Sequence, residues 1–292
     1  MQQDYLIRAT AFEGRLRAFA ANTTSIVEEL RRRHGTTPVA TAALGRTVTA
    51  GIMMGAMLKG EEKLTIQVKG DGPLGQIVVD ANAKGEVRGY VDNPQVDLPL
   101  NPRGKLDVAG VVGDGYLYVI KDLGLREPYR GSVPIVSGEL ADDFTYYFAK
   151  SEQTPSAVAL GVLIATDYSV QTSGGFILQL LPGMDEDEIS GIEAKLATLP
   201  PITSLMADGS DMEQILKQID ESVEVLERSN IRFQCKCSRE RIEKTLISLG
   251  KDELEKIMNE DGKAEVVCHF CNETYAYNRE DLHNLLERLN NQ

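Results

Sequence analysis

Four cysteines carry the sharpest chemical signal in this 292-residue chain, and all lie between positions 235 and 292. They form two close pairs, Cys235-x-Cys237 and Cys268-x-x-Cys271, with thirty residues between the pairs. Thiolates are soft donors, and two close pairs from separate segments can fill the four corners of a zinc tetrahedron. The spacing predicts one structural zinc per chain, held by Cys235, Cys237, Cys268 and Cys271. The first pair is tighter than the C-x-x-C of common zinc ribbons. The same sulfurs can be oxidised. Each close pair can form its own disulfide and give up the metal, and a Cys-x-Cys disulfide closes a small ring that is readily reduced again. Other readings of the cysteines stay open at this point. They can be inert reduced thiols, or Cys268 and Cys271 can serve a thiol–disulfide oxidoreductase. The latter leaves Cys235 and Cys237 unexplained. Haem attachment needs a histidine where Asn272 stands.

The segment 230–292 is small enough to have a marginal core, so a bound metal would supply much of its folding free energy, on the order of 10 kcal/mol. Within it, Arg239–Leu249 and Asp252–Asn259 read as helices stopped near glycines. AEVVCHFC and ETYAYN read as short strands flanking the second cysteine pair. Asn278 caps a last helix with Leu282, Leu285, Leu286 and Leu289 inward.

The preceding segment, 184–229, holds twelve acidic and three basic residues. Ile189, Ile192, Leu196 and Leu199 make one helical stripe, ended by Pro200–Pro201. Met212, Ile215, Leu216, Ile219, Val223 and Leu226 make another, opened by a capping box from Ser210 to Glu213. Such helices must dock on something to bury their stripes. Residues 1–183 read as mixed α and β. DYLIRATAF and RLRAFA are strand-like, Thr23–His34 is helical with Gly35 as its stop, and Pro38 opens a helix rich in small residues. KLTIQVK, QIVVDAN, EVRGYVD and YLYVIKD are strands between glycine-rich turns. Gly138–Ser151 is helical, and PSAVALGVLIATD and GGFILQLLP return to strand-like runs. The order is not a strict alternation, which predicts an α+β fold: a core domain at 1–183, a helical linker at 184–229 and a small zinc domain at 230–292.

Composition narrows the function. A net charge of −13 disfavours phosphate backbones, so no nucleic-acid partner is expected. The apolar run Val39–Leu58 carries Arg46 and several threonines and glycines, and reads as a buried helix rather than a membrane span. With no signal-like N-terminus and cysteines in metal-binding spacing, a cytoplasmic location is expected. Gly70-Asp-Gly-Pro-Leu-Gly75 matches G-x-G-x-x-G, but Pro73 and the strand after it make it a turn rather than a nucleotide loop. His34, His269 and His283 assemble no Ser/His/Asp set, so no catalytic residue is assigned and the chain is not expected to be an enzyme. Met53, Met54 and Met57 read as core packing.

The cysteine pattern, late in a chain of this length, resembles the 33-kDa heat shock protein family, redox-regulated holdase chaperones of bacteria. GDGPLG (70–75), YYFAKSEQTPSAVALGV (146–162) and SGGFILQLLPG (173–183) are similar as well. The resemblance implies a reduced, zinc-bound, inactive state and an oxidised state with Cys235–Cys237 and Cys268–Cys271 disulfides. It further implies zinc release, unfolding of the tail and linker, possible homodimerisation and ATP-independent capture of unfolding client proteins. His269, between the second pair, departs from the family pattern and bears on thiol reactivity rather than on the ligand count.

Overall fold

The computed structural model describes residues 3–290 and divides the chain into two compact units, Met1–Gln234 and Cys235–Gln292. The first unit opens with strands β1 (Tyr5–Ala11) and β2 (Leu16–Asn22), followed by helices α1 (Thr24–His34) and α2 (Pro38–Gly55). Strands β3 (Lys63–Gly70), β4 (Gln76–Asn82) and β5 (Glu86–Val91) form an antiparallel meander. A short helix α3 (Val108–Val112), strands β6 (Gly115–Asp122) and β7 (Tyr129–Pro134) and helix α4 (Ala141–Lys150) come next. Strands β8 (Ser156–Ile164) and β9 (Val170–Leu180) precede helices α5 (Glu186–Thr198), α6 (Ile202–Ala207) and α7 (Met212–Ile219). Strands β10 (Glu224–Asn230) and β11 (Arg232–Phe233) close the unit. The architecture is α+β, as the unequal mixture of periods predicts.

Two sheets organise the unit. One has the order β10-β1-β2-β9-β8 and the other β11-β5-β4-β3-β6-β7. All pairings are antiparallel except that of β11 with β5. Helix α2 packs against strands of both sheets and is buried along nearly its whole length. Its small residues permit this. A side chain on Gly45 would strike Val27 and Val162, and one on Gly51 would strike Val79. The apolar run 39–58 is therefore a core helix, and among the described residues no helix is long and apolar enough to cross a membrane.

Strand alternation gives the five-stranded sheet two apolar faces. Leu6, Phe19, Ala21 and Ile177 join the main core around α1 and α2. Tyr5, Ile7, Ala9, Leu16, Ala18, Ala20, Phe176 and Leu178 point the other way. That second face is covered by residues of the acidic segment: Ile192 of α5, Ile202 and Leu205 of α6, and Met212, Ile215, Leu216 and Ile219 of α7. Polar ties are few. Arg15 makes a two-pronged ion pair with Glu188, at 2.5 and 2.7 Å. The Met212 N–H donates to the Tyr5 hydroxyl at 3.1 Å.

Three details differ from the sequence reading. The second amphipathic helix stops at Ile219, because Asp220 takes an extended backbone conformation. Val223 still packs beneath the sheet, but residues 224–230 form β10, paired with β1, and Leu226 is exposed. The helical stripe proposed through Leu226 was thus partly a strand whose apolar residues fell at helical spacing. The capping box is also one residue later: Asp211 accepts from the Gln214 N–H and the Gln214 side chain accepts from the Asp211 N–H. The helix expected over 138–151 begins only at Ala141.

The GDGPLG segment is the turn between β3 and β4. Gly72 lies against the end of α3, where an added Cβ would approach Val111 O to 2.4 Å and Val112 C to 2.6 Å. Backbone cannot move aside cheaply, so Gly72→Val should destabilise the unit by about 1–3 kcal/mol while leaving ATP binding at background. Thermal melts with titration calorimetry test this; ATP affinity that vanishes in the variant would contradict the turn assignment. Ile215, fully buried under the sheet, tests the covering layer. Ile215→Ala should cost about 2–5 kcal/mol and raise amide exchange across α5–α7 before the rest of the unit.

Candidate metal centre

The second unit is small, and its elements bring the cysteines together. It contains helices α8 (Arg239–Ile247) and α9 (Lys251–Glu260), the hairpin β12 (Ala264–Val267) and β13 (Thr274–Tyr277), and helix α10 (Arg279–Asn290). Its buried core is Leu246, Leu254, Tyr277, Leu282, Leu285 and Leu286, with Leu289 packed at the margin. The Asn278 carboxamide accepts from the Asp281 N–H at 2.9 Å, the N-terminal cap expected for α10.

The hairpin tip makes a knuckle of Cys268-His-Phe-Cys271. The Cys268 N–H donates to Glu273 O at 2.9 Å, and the Asn272 N–H donates back to Cys268 O at 2.8 Å. Asn272 has φ +57°, a left-handed conformation that asparagine tolerates better than most residues. Cys235 and Cys237 come from the extended stretch before α8, whose first turn is capped by Ser238 accepting from the Arg241 N–H at 3.3 Å.

All four Sγ atoms lie within 4.8 Å of one another. Cys235 and Cys268 are 3.7 Å apart, and Cys237 and Cys271 are 3.2 Å apart. A tetrahedron with metal–sulfur bonds of about 2.3 Å has edges of about 3.8 Å, so the spacing suits a four-thiolate metal site. Cys271 is buried and the other three are half-buried. Burial pushes the Cys235 thiol up, but hydrogen bonds from the Cys237 backbone and from the neighbouring thiols outweigh it and bring the group down to about 7. Burial raises Cys237 and Cys271, and neighbouring sulfur adds to the rise at both. Adjacent thiols thus resist ionising together, a repulsion that a cation among them would reverse. The donor set fits a soft divalent ion, and the four cysteines can hold one.

His269 is exposed, and His283 lies on the outer face of α10 beside Glu287 at 3.5 Å. Neither belongs to the sulfur cluster. Sequence reasoning missed Tyr275. Its hydroxyl donates to Cys237 Sγ at 3.2 Å, and this bond, with burial, holds the phenol proton well above the usual tyrosine range. Strand alternation carried the signal, since Tyr275 and Tyr277 must share a hairpin face.

Comparison with known proteins places these features in one lineage. The sequence model described as "Hsp33 protein" matches residues 4–278. A 33 kDa chaperonin of Geobacillus kaustophilus is 55% identical over 285 residues, covering 97% of each chain. A 33 kDa chaperonin of Desulforamulus reducens is 54% identical over 289 residues, covering 98% of each. The crystal structure of a 33 kDa chaperonin (heat shock protein 33 homolog) from Thermotoga maritima superposes with a TM-score of 0.93 at 37% identity, each chain fully covered.

Serine is a poor replacement for a thiolate ligand. Cys→Ser at any of positions 235, 237, 268 or 271 should therefore lower bound metal per chain and loosen α8–α10. Metal analysis of the purified variants, with amide exchange, is the check; full metal content in all four would overturn the site.

Proposed function

The chain belongs to the Hsp33 family of chaperones, and from that premise we propose that it is a redox-regulated holdase whose four cysteines are the switch. In the reduced chain Cys235, Cys237, Cys268 and Cys271 hold one zinc ion. Bound there, zinc supplies the cross-link that a small core lacks. Peroxide with mild heat, or hypochlorous acid, converts the sulfurs to Cys235–Cys237 and Cys268–Cys271 disulfides. Each disulfide takes two electrons from its pair, and with peroxide the oxygens leave as water. Sulfurs bonded to each other no longer hold the ion, and the region 230–292 loses its fastening.

The observation that carries this reading is the apolar sheet face under α5–α7. The linker, 184–229, is strongly acidic, presents apolar residues on one side and is tied by few polar contacts. Such a segment is poised between docked and undocked states. Undocking exposes Ile7, Phe176 and Leu178 together with the linker's own apolar stripes, a surface suited to unfolding clients. The acidic charge keeps a loaded chaperone soluble. The core domain, 1–183, provides the platform and uses no ATP. The oxidised chain can pair with a second copy through the same exposed surface. The reading places the protein in the cytoplasm, with no nucleic-acid or membrane partner and no catalytic residue.

An oxidoreductase acting through Cys268 and Cys271 is the rival reading. It has less support, because that pair tips a hairpin and does not open a helix. The test is aggregation of a thermally unfolding protein, with this chain either reduced and zinc-loaded or treated with peroxide at mild heat, while a chromogenic chelator tracks zinc. Suppression only after oxidation, with about one zinc released per chain, is expected. Zinc release without suppression would leave the metal site standing and refute the chaperone switch.

A further inference from the structure

Strand β8 ends the five-stranded sheet, with only β9 beside it among the described residues. Sheet edges in soluble proteins are blunted by charge, proline or brevity, because unpaired backbone invites another strand. The other outer strands here follow that rule. Strand β10 carries Glu224, Glu227 and Arg228, β7 carries Arg130 and Pro134, and β11 has two residues. Strand β8 does not: its nine residues, SAVALGVLI, include no charge and no proline. The Leu180 N–H donates to Pro155 O at 3.0 Å, and Ser156 stands opposite Gln179. Antiparallel alternation then turns residues 157, 159, 161 and 163 toward β9, and the N–H and C=O groups of Ser156, Val158, Leu160 and Val162 outward.

The outward edge lies in a trough of about 1120 Å³. Ala42 of α2 and Ala141 and Thr145 of α4 line it, as do Leu199, Pro201 and Ile202 at the junction of α5 and α6. On the strand itself, Val158, Leu160 and Val162 pack toward the core around α2, and Ala157 and Ala159 toward the face under α5–α7. Leu100 and Tyr168, 60% and 62% exposed, are also in the lining. We infer that this trough takes an extended, acid-bearing segment of another polypeptide, which adds to β8 as a sixth strand while α5–α7 stay docked.

Three features choose this occupant. Donors and acceptors repeating at every second residue are met in register by another extended backbone, the basis of strand addition. Apolar lining on both faces of β8 suits a segment whose side chains on either side are small or β-branched. Charge supplies the third. The charged side chains lining the trough are Arg46 and Lys105, with no carboxylate among the described residues, although the chain carries a net −13. Glu139 engages Arg46 only through Nη1, at 2.8 Å, and the Arg46 Nε is buried with no acceptor, so the guanidinium has donors to spare. A second copy of this chain is a poor occupant. Its own β8 is equally recessed, and a two-fold β8 pair would bring two Arg46 and two Lys105 side chains together without an acid between them.

The probe is a peptide as long as β8, alternating valine and threonine around one central glutamate, with fluorescein at its N-terminus. Titrated with the full chain, kept reduced, it should show saturable fluorescence polarisation. Glutamine in place of the glutamate should weaken binding about tenfold, the worth of one charge-assisted hydrogen bond. The same peptide with every amide nitrogen methylated, and so without N–H donors, should not bind. In the complex, the amides of Val158, Leu160 and Val162 should exchange at least about tenfold more slowly, while those of Ala157 and Ala159, already paired with β9, hold their rates. Val158→Pro removes an outward donor without breaking the β9 ladder and should abolish binding; if that variant does not fold, the methylated peptide and the exchange pattern on the wild-type chain decide. No binding, binding that survives methylation, equal affinity for the glutamine peptide, or slowed exchange confined to α5–α7 would each overturn the proposal. So would slowing at Val158, Leu160 and Val162 that grows with protein concentration in the absence of peptide, because the occupant would then be a second copy. The redox switch is tested separately, since the chain stays reduced throughout.

Discussion

A β-sheet whose strands are apolar on both faces must be covered on both, and the rest of this protein depends on how its five-stranded sheet meets that demand. One face closes on α1 and α2, which follow β2 in sequence; α2 is rich in small residues that pack closely. The other, lined by Ile7, Ala18, Phe176 and Leu178, is closed by α5, α6 and α7. The two coverings differ in kind. Helix α2 is wedged between two sheets and cannot leave without dismantling the core. The acidic helices lie over one sheet, carry a high density of like charge and contribute fully buried side chains only along one stripe. Hydrophobic burial holds them, and repulsion among their carboxylates works against them.

That C-terminal unit is too small to rely on its core. Six buried side chains, most of them leucines, organise three helices and one hairpin. The sulfur cluster brings the hairpin tip beside the stretch before α8, two segments that no strand pairing connects among the described residues. Cross-links between segments distant in sequence remove the most chain entropy, which is why a four-thiolate site can decide whether such a unit folds. The covering helices hide an apolar face, and the cysteines are the chemically alterable groups of the second unit. Tyr275 joins the cysteines as a hydrogen-bond donor to Cys237 sulfur.

Much of the fold was legible. Strands β3 to β6 announce themselves by period-two alternation between glycine-rich turns, and Gly35 marks the end of α1. The errors have identifiable causes. Val223 and Leu226 sit at helical spacing from Ile219, yet pairing with β1 draws the chain from Glu224 onward into a strand, since a free edge offers hydrogen bonds that a helix extension would have to match. Strand β7 holds Gly131 and Pro134 and offers only Val133 as a large buried residue to mark its alternation, and β11 is two residues long. Both exist because a neighbouring edge was available, which is a tertiary fact. The capping box slipped by one residue because Ser210 and Asp211 are both competent caps, and only helix packing selects between them.

The sequence alone singled out the four cysteines that the structure brings together, because two close thiol pairs are the only cysteines in the chain. It also determined that 184–229 must dock, since its apolar stripes cannot remain in water. Only the tertiary structure decided where: the face of the sheet opposite α2, reached because alternation along β1, β2 and β9 points half of their apolar side chains away from the main core. It also brought the Tyr275 hydroxyl to the Cys237 sulfur across 38 residues of chain. A sequence specifies which groups seek burial or a partner. Which partner each one meets depends on strand register and helix placement, and these are settled only when the whole chain packs.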